Sequence, residues 1–153
     1  MTIPVQPFIT TFAGSLDAKG RVCIPAAYRT ILTAQGTPGV YVVPSIIDAA
    51  LDCFGQNLMD ETTTRLAQQN PFLSPAFDDE ATTLIAATHI LAPDENGRVR
   101  LPDALIEQAQ LKDRVLFAGK VTKFQIWDAD RYGTLAAEAM ARMKARYAQG
   151  RGS

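Results

Sequence analysis

The sequence predicts an α+β fold, mainly β, in which two tandem copies of one module pack together with helices at their periphery. Three observations support this prediction. The chain has 153 residues, 47% of them hydrophobic, which suffices for a packed core in one domain or two small ones. One ten-residue segment occurs twice. Each copy has the patterns of four short strands and two helices, so strands dominate.

The repeated segment is Leu16–Pro25, which matches Pro93–Pro102 at a distance of 77 residues along the chain. Asp, Gly, Arg, Val and Pro recur at the same places in both copies. A duplicated module shows which positions the fold requires twice. We predict a first repeat over 8–70, a linker and helix start over 71–82, a second repeat over 83–147 and a flexible tail over 148–153.

Each copy begins with a strand, a tight turn and a second strand. Asp17 and Asp94 can accept backbone hydrogen bonds within these turns. Gly20 and Gly97 can supply the positive φ that such turns require. The four residues are therefore predicted to be structural.

In the strand after each turn, aliphatic residues alternate with Arg21 and Cys23 in the first copy and with Arg98 and Arg100 in the second. Alternation places the aliphatics on one face and these four residues on the other. Cys23 shares its position with Arg100, which indicates an outward or interfacial site and not a catalytic thiol.

A proline ends each of these strands, and a short helix follows it at 26–32 and at 103–109. Two more strands and a longer helix complete each copy. The predicted spans are 40–43, 51–54 and 57–69 in the first copy, and 115–118, 123–127 and 128–147 in the second. Asp128 can cap the last helix, and its apolar stripe from Tyr132 to Tyr147 is interpreted as core or subunit contact rather than a ligand pocket.

Charge is unevenly distributed along the chain. The net charge of −1 by itself disfavours a nucleic-acid partner, because phosphate binding depends on Lys and Arg. Residues 1–47, however, hold three basic residues against one acid, whereas 48–87 hold seven acids against one base. A small basic patch can bind DNA well when oligomerisation repeats it. Self-association is therefore part of the functional hypothesis.

Five cations are the candidate DNA contacts: Lys19, Arg21, Arg29, Arg98 and Arg100. For Arg21 and Arg98 two roles remain open, an ion pair with the aspartate of the same turn or a contact to phosphate or a base edge. The other three are either phosphate contacts or solvated surface charges. Asn96 stands where the first copy has Lys19, so the first hairpin is predicted to dominate phosphate contact.

No catalytic residue, metal site, cofactor or small-molecule substrate is predicted. Cys23 and Cys53 have no CxxC spacing and are expected to be reduced, partly buried thiols. His89, the only histidine, lies in a predicted strand. Gly119 and Lys120 lack the glycine pattern of a phosphate-binding loop. The chain is predicted not to be an enzyme.

No apolar run approaches the length of about 18 residues that a membrane helix needs. The N-terminus lacks a basic region followed by an apolar run. We therefore expect a cytoplasmic protein without a membrane partner.

The two Asp-x-x-Gly-Arg turns, each followed by an alternating strand and a proline, resemble the MraZ family of bacterial transcriptional regulators. The resemblance covers nearly all of residues 8–147. The segments that carry it are Leu16–Arg21 with Pro25 and Tyr28-Arg29, Asp94–Arg98, and Lys123–Asp128.

This resemblance implies a pseudo-twofold, AbrB-like swapped-hairpin barrel and assembly of several chains into a ring. It also implies association with the nucleoid and control of the division and cell-wall gene cluster, through short direct repeats of double-stranded DNA upstream of the regulator's own gene. In the family the Asp-x-x-x-Arg motifs lie at the DNA-binding face, a role that carries over to Arg21 and to Arg98. The chain departs from the family at Asp78–Glu80, where a basic run is usual, and at Cys53–Gln56, which lacks an aromatic-proline ending.

An oligomeric protein-interaction module with secondary DNA contact is the alternative, favoured by the acidic middle of the chain. An enzyme ranks third, because it needs a catalytic constellation that the sequence does not display. Affinity for the chain's own promoter region discriminates between the first two.

Overall fold

The computed structural model describes residues 6–151 as alternating strands and helices. The first repeat contributes β1 (Thr11–Ser15), β2 (Arg21–Cys23), α1 (Ala26–Ala34), β3 (Val40–Pro44), β4 (Leu51–Phe54) and α2 (Gln56–Ala67). The linker contributes α3 (Pro75–Glu80) and a π-helical segment (Ala81–Ala86). The second repeat contributes β5 (His89–Leu91), β6 (Arg98–Arg100), α4 (Asp103–Gln108), β7 (Arg114–Gly119), β8 (Phe124–Asp128) and α5 (Ala129–Arg151). The predicted α+β class, mainly β with peripheral helices, is confirmed.

The strands of the two repeats are interleaved. Six form one antiparallel sheet in the order β1-β7-β8-β4-β3-β5, and β2 pairs with β6 as a separate two-stranded ribbon. The first strand of each repeat thus pairs with the other repeat, β1 with β7 and β5 with β3. Exchanging equivalent strands reproduces the same order in reverse, which is the pseudo-twofold, swapped-hairpin arrangement that the family resemblance implies.

Two residue pairs mark the pseudo-twofold axis. Val22 lies opposite Val99 in the ribbon, and the two valines are equivalent residues of the repeats. Asp52 lies opposite Gln125, each the second residue of its strand. The Gln125 side-chain amide donates a hydrogen bond of 2.8 Å to the Asp52 carboxylate, and the Trp127 indole donates to Gln125 at 2.9 Å. The axis therefore passes between two buried valines in the ribbon and through a hydrogen-bonded polar pair in the six-stranded sheet.

One large apolar core joins the ribbon, α1, α4 and one face of the sheet. The inward residues of the ribbon are fully buried, as the alternation predicts. Tyr28 lies at the centre, with ring centroids 4.5 Å from Phe124 and 5.4 Å from Phe8. Its hydroxyl donates to the Thr10 carbonyl at 2.6 Å, and burial raises the pKa of Tyr28 to about 12. Helix α1 is thereby fixed to the strand that leads into the first hairpin.

Two smaller clusters lie outside this core. One packs Tyr41, Val43 and Phe54 against α2. The other packs Trp127 and two alanines against Tyr132 and Leu135 at the start of α5. The longer helices are therefore peripheral, as predicted.

The predicted apolar stripe of α5 belongs to the core only at its beginning. Met140, Met143 and Tyr147 are 57%, 43% and 69% exposed. They lie outside the core clusters of the described residues, and α5 packs on these clusters only near its start, through Tyr132 and Leu135. The helix also continues to Arg151, although a flexible tail was expected from residue 148. The final turns are rich in alanine, the best helix former, and extend a helix that is already nucleated.

The linker is more helical than the sequence indicates. Ser74 caps α3 by accepting a hydrogen bond of 3.1 Å from the Phe77 amide, with Pro75 as the first helical residue. The π-helical segment then carries the chain to Ala86, so the expected start of the second repeat at residue 83 falls inside it. Among residues 6–151, no helix is long and apolar enough to cross a membrane.

Candidate nucleic-acid interface

The two turns have the same hydrogen-bond geometry. In the first, the Asp17 carboxylate accepts from the backbone of Lys19 at 2.9 Å and of Arg21 at 2.8 Å. In the second, Asp94 accepts from the backbone of Asn96 and Arg98 at 2.8 and 3.0 Å. Both turns also contain a glycine with φ +79°, a left-handed conformation that favours glycine. The structural role predicted for the aspartates and for Gly20 and Gly97 is consistent with this geometry.

The same carboxylates bind the arginine side chains. Asp17 accepts from Nε of Arg21 at 2.8 Å, and Asp94 accepts from Nε of Arg98 at 3.0 Å. A guanidinium has five N–H donors, and each ion pair uses one of them. Among the described residues no other group binds these guanidinium groups, and both side chains are about one-third exposed. The ion pair therefore orients each arginine while leaving its terminal nitrogens available to a ligand.

Arg21, Cys23, Arg98 and Arg100 share the outer face of the ribbon, which we call the arginine face. Arg21 lies opposite Arg100, and Cys23 lies opposite Arg98. Like charges directly opposite in an antiparallel pair are destabilising. Only Arg21 and Arg98 have a carboxylate partner, whereas Arg100 is exposed with no ion pair among the described residues. Such an arrangement suits an anion that neutralises the face from outside.

Arg29 is not a freely solvated charge. Its Nε donates to the Ile24 carbonyl at 3.1 Å, and its guanidinium covers Gly97 so closely that a Cβ there would lie 2.6 Å from Cζ. Arg29 thus belongs to the first repeat in sequence but to the second turn in space. The residue at its equivalent position is Ile106, which lies over Gly20 in the same way.

The contact of Arg29 with Gly97 changes how the two turns compare in positive charge. The first turn carries Lys19 beside Arg21. The Lys19 side chain is exposed and has no ion pair among residues 6–151. The second turn has Asn96 in place of the lysine, but Arg29 reaches it from α1. Each turn therefore has two cations, and Arg100 on β6 adds a third to the second hairpin. The sequence pattern could not reveal this, because the contact joins residues of different repeats.

The turn aspartates have pKa values below their ordinary range. The backbone N–H of Arg21 lowers the pKa of Asp17 most, desolvation opposes it, and the Arg21 guanidinium lowers it further. For Asp94 the backbone N–H of Arg98 has the largest effect, again against desolvation. The anionic form that fixes each turn is therefore favoured.

The two thiols differ in accessibility. Cys23 is exposed, and its Sγ lies 3.4 Å from the Asn96 carbonyl in the turn of the other repeat. Cys53 is fully buried, and this burial raises the pKa of its thiol well above the usual value. Both are free, but neither is partly buried as expected, because Cys23 points outward from the ribbon and Cys53 inward from β4. His89 lies at the start of β5, as predicted.

Within residues 6–151, no three His, Cys, Asp or Glu side chains come together as a metal site would need. An open groove of about 550 Å³ lies between the β3–β4 loop and the start of α5. Its lining includes Asp48, Asp128, Asp130 and Glu138 against Arg131. No residue of the arginine face lines this groove, and the groove is mainly acidic whereas the arginine face is basic.

The duplicated swapped hairpins with their paired arginine turns define the class of this protein by its fold, a pseudo-twofold swapped-hairpin protein. Comparison with known proteins gives its family. A family model described as MraZ protein, putative antitoxin-like, matches residues 84–151. Proteins named transcriptional regulator MraZ from Azorhizobium caulinodans and Xanthobacter autotrophicus are 40% and 39% identical to this chain, over 90% of its length and 87% of each relative. The protein of that name from Beijerinckia indica is 39% identical over 90% of this chain and 83% of its own.

The chain therefore belongs to the MraZ family of transcriptional regulators. This membership confirms the resemblance that the two turns indicate in the sequence. It also confirms that the protein is a regulator and not an enzyme.

Proposed function

We propose that the chain regulates transcription by binding double-stranded DNA with the arginine face and the two turns beside it. Lys19, Arg21, Arg29, Arg98 and Arg100 are the contacting cations. Several chains assemble into a ring and bind short direct repeats upstream of the regulator's own gene, within a cluster of division and cell-wall genes. The protein acts in the cytoplasm, in association with the nucleoid.

One observation carries this proposal: arginines of both repeats are gathered on one face of one ribbon, around the pseudo-twofold axis. A two-stranded ribbon fits the major groove, and arginine binds guanine O6 and N7 with two parallel hydrogen bonds. Asp17 and Asp94 hold Arg21 and Arg98 by Nε and so orient the terminal nitrogens before any ligand arrives. Preorganised side chains lose less entropy on binding.

The net charge of −1 is compatible with this proposal because the acids lie elsewhere. Six of the seven acids between residues 48 and 87 lie on β4, α2 and the linker helix, outside the ribbon. Repetition of the arginine face in an oligomer multiplies its phosphate contacts.

The first experiment is fluorescence anisotropy with the DNA immediately upstream of the chain's own gene, against a scrambled duplex, at two salt concentrations. Sequence-selective binding that weakens with salt is expected. Arg21→Ala should weaken it about ten-fold or more, because a bidentate base contact contributes about 1–3 kcal/mol. The variant should fold normally, since the backbone donors still hold Asp17.

The control is Arg65→Ala, which removes an exposed arginine of α2 that pairs with Glu80 of α3, outside the ribbon and both turns. Its affinity should equal that of the unchanged protein. A folded Arg21→Ala protein with full affinity would contradict the proposed interface.

A protein-interaction module remains the second candidate, and one observation favours it. Phe72 and Leu73 are 91% and 80% exposed at the tip of the linker. Large apolar side chains at this exposure indicate a surface that another protein covers. A folded oligomer with equal, weak affinity for promoter and scrambled DNA would support this candidate instead.

A further inference from the structure

The second half of α5 adds no buried residue to the described part of the chain. From Met140 to Gly150 every residue is exposed. The span from Met140 to Arg151 is roughly 18 Å long at 1.5 Å per residue. An exposed helix end is only marginally stable in water, so binding would stabilise it.

This half of α5 is both apolar and basic. Met140, Met143 and Tyr147 follow one another at spacings of three and four residues, which aligns them as a stripe along one face. Lys144 and Arg146 flank the stripe on either side. Residues 140–151 contain no acid. We call this surface the basic helix face.

The tip of the linker, residues 70–80, has complementary properties and is called the acidic knob. The Asn70 side chain accepts from the backbone of Phe72 at 2.9 Å and of Leu73 at 3.1 Å, so both exposed apolar side chains are held on a defined turn. Asp78 and Asp79 follow on α3, both exposed and without an ion pair among the described residues. Residues 70–80 contain no base.

We propose that the basic helix face of one chain docks on the acidic knob of a second copy. Met140, Met143 and Tyr147 then cover Phe72 and Leu73, while Lys144 and Arg146 meet Asp78 and Asp79. Opposite charges around an apolar centre give both affinity and orientation. This deepens the self-association in the proposed function by naming its two surfaces.

The contact is head-to-tail, because its two halves are different surfaces. Each chain offers one helix face and one knob, so contacts continue from copy to copy until the rotation closes a ring. Two copies of α5 packed together would not satisfy the same residues, because the basic halves would repel each other. The acidic groove beside the start of α5 also places acids around an exposed apolar side chain, Ile47, so it is the competing acceptor that charge reversal at Asp48 and Glu138 distinguishes.

The test is a charge exchange measured by sedimentation velocity and native mass spectrometry. One variant carries Lys144→Glu and Arg146→Glu, and the other carries Asp78→Lys and Asp79→Lys. Each alone should raise the concentration of half-assembly at least about ten-fold. Mixed together, the two variants should assemble again, because the acidic helix of one fits the basic knob of the other.

The mixed assemblies should contain the two variants in strict alternation, and native mass spectrometry should therefore show equal numbers of each. The control is Arg142→Glu, which reverses one charge on the same helix but about 130° away from the stripe. It should assemble like the unchanged protein, and circular dichroism should show that all variants keep their folded secondary structure.

Four outcomes would overturn the inference. If neither double change affected assembly, only the docking of these two surfaces would be overturned, and self-association would use another surface. A protein that is monomeric at all concentrations would overturn the self-association as well, whereas the DNA contacts are judged separately through Arg21→Ala. Rescue by Asp48→Lys with Glu138→Lys would place the contact in the acidic groove. Full assembly with lost DNA affinity in the helix variant would make the basic helix face a DNA contact.

Discussion

At the scale of single residues, the turn aspartates combine two functions that are often separated. Asp17 closes its turn through two backbone amides and orients Arg21 through Nε. The ion pair and the DNA contact, which the sequence leaves as competing roles for this arginine, are therefore compatible. The carboxylate binds one N–H of the guanidinium, at Nε, and thereby fixes the direction of the remaining N–H donors.

The lowered pKa values of Asp17 and Asp94 lead to a prediction about acid stability. A group whose pKa is lower in the folded state contributes stability above its unfolded pKa, and this contribution disappears as pH falls through the folded pKa. The thermal midpoint should therefore fall more steeply below about pH 4 in the unchanged protein than in a variant with Asp17→Asn and Asp94→Asn. Circular dichroism between about pH 6 and pH 2.5 measures this. Equal slopes in the two proteins would show that the turn carboxylates do not contribute to acid stability.

Cys23 allows the location of the interface to be tested without changing any arginine. An exposed thiol reacts and a buried one does not, so a thiol reagent should titrate Cys23 in the native protein and Cys53 only after unfolding. A bulky maleimide on Cys23 should then reduce DNA affinity about ten-fold or more by blocking the arginine face. Cys23→Ser should bind normally and be insensitive to the reagent. Normal affinity of the labelled protein would place the DNA elsewhere.

At the scale of elements, each turn is completed by a helix of the other repeat. Arg29 on α1 covers Gly97, and Ile106 on α4 lies over Gly20. The backbone also crosses, since the Ile24 amide donates to the Gly97 carbonyl at 2.9 Å and the Leu101 amide donates to the Gly20 carbonyl at 2.8 Å. Neither hairpin can therefore form its full set of contacts within its own repeat.

Alanine at the two glycines should separate turn strain from charge placement. Gly20→Ala and Gly97→Ala each force a side chain into left-handed backbone, at a cost of about 1–2 kcal/mol. Only Gly97→Ala also displaces the Arg29 guanidinium, so only this variant should reduce the salt dependence of DNA binding, by about one unit of slope. In an Arg29→Ala background the same change should have no further effect on binding. Equal binding losses in the two glycine variants would show that Arg29 does not contribute.

The sequence predicts the elements better than it predicts their partners. The strands, turns and short helices follow from alternation, Asp-Gly spacing and the prolines at 25 and 102, which are local signals. The exchange of strands came from the family resemblance, because alternation at Val22 is the same whichever strand lies beside it. The contact of Arg29 with Gly97 left no signal at all, since it depends on that exchange. The exposed half of α5 has the same apolar stripe as a buried helix, and the sequence does not show which part of the helix packs on the core.

At the scale of the whole molecule, the interleaved sheet makes the two repeats dependent on each other. The ladders β1–β7, β3–β5, β4–β8 and β2–β6 all join different repeats. Only β3–β4 and β7–β8 remain within one repeat. Most long-range hydrogen bonds are thus lost when the halves are separated.

Neither half should fold as a monomer when it is produced alone, but the fragments 1–70 and 71–153 should form a 1:1 complex when mixed. Circular dichroism reports the gain in structure, and native mass spectrometry reports the stoichiometry. Cleavage between Phe72 and Leu73 in the intact protein provides the control, since the nicked chain should stay folded and associated. A folded monomeric half would contradict the dependence that the strand exchange implies.

The asymmetry around the Val22–Val99 pair gives the arginine face a polarity. In a dimer of identical chains every substitution appears on both sides of the axis, whereas here the linker joins two copies that have changed separately. Cys23 stands at the position equivalent to Arg100, and Asn96 at the position equivalent to Lys19. A symmetric surface would fit a duplex equally well in either direction. In the DNA complex that we propose, this surface has a single preferred direction, so subunits bound to successive direct repeats would all face the same way.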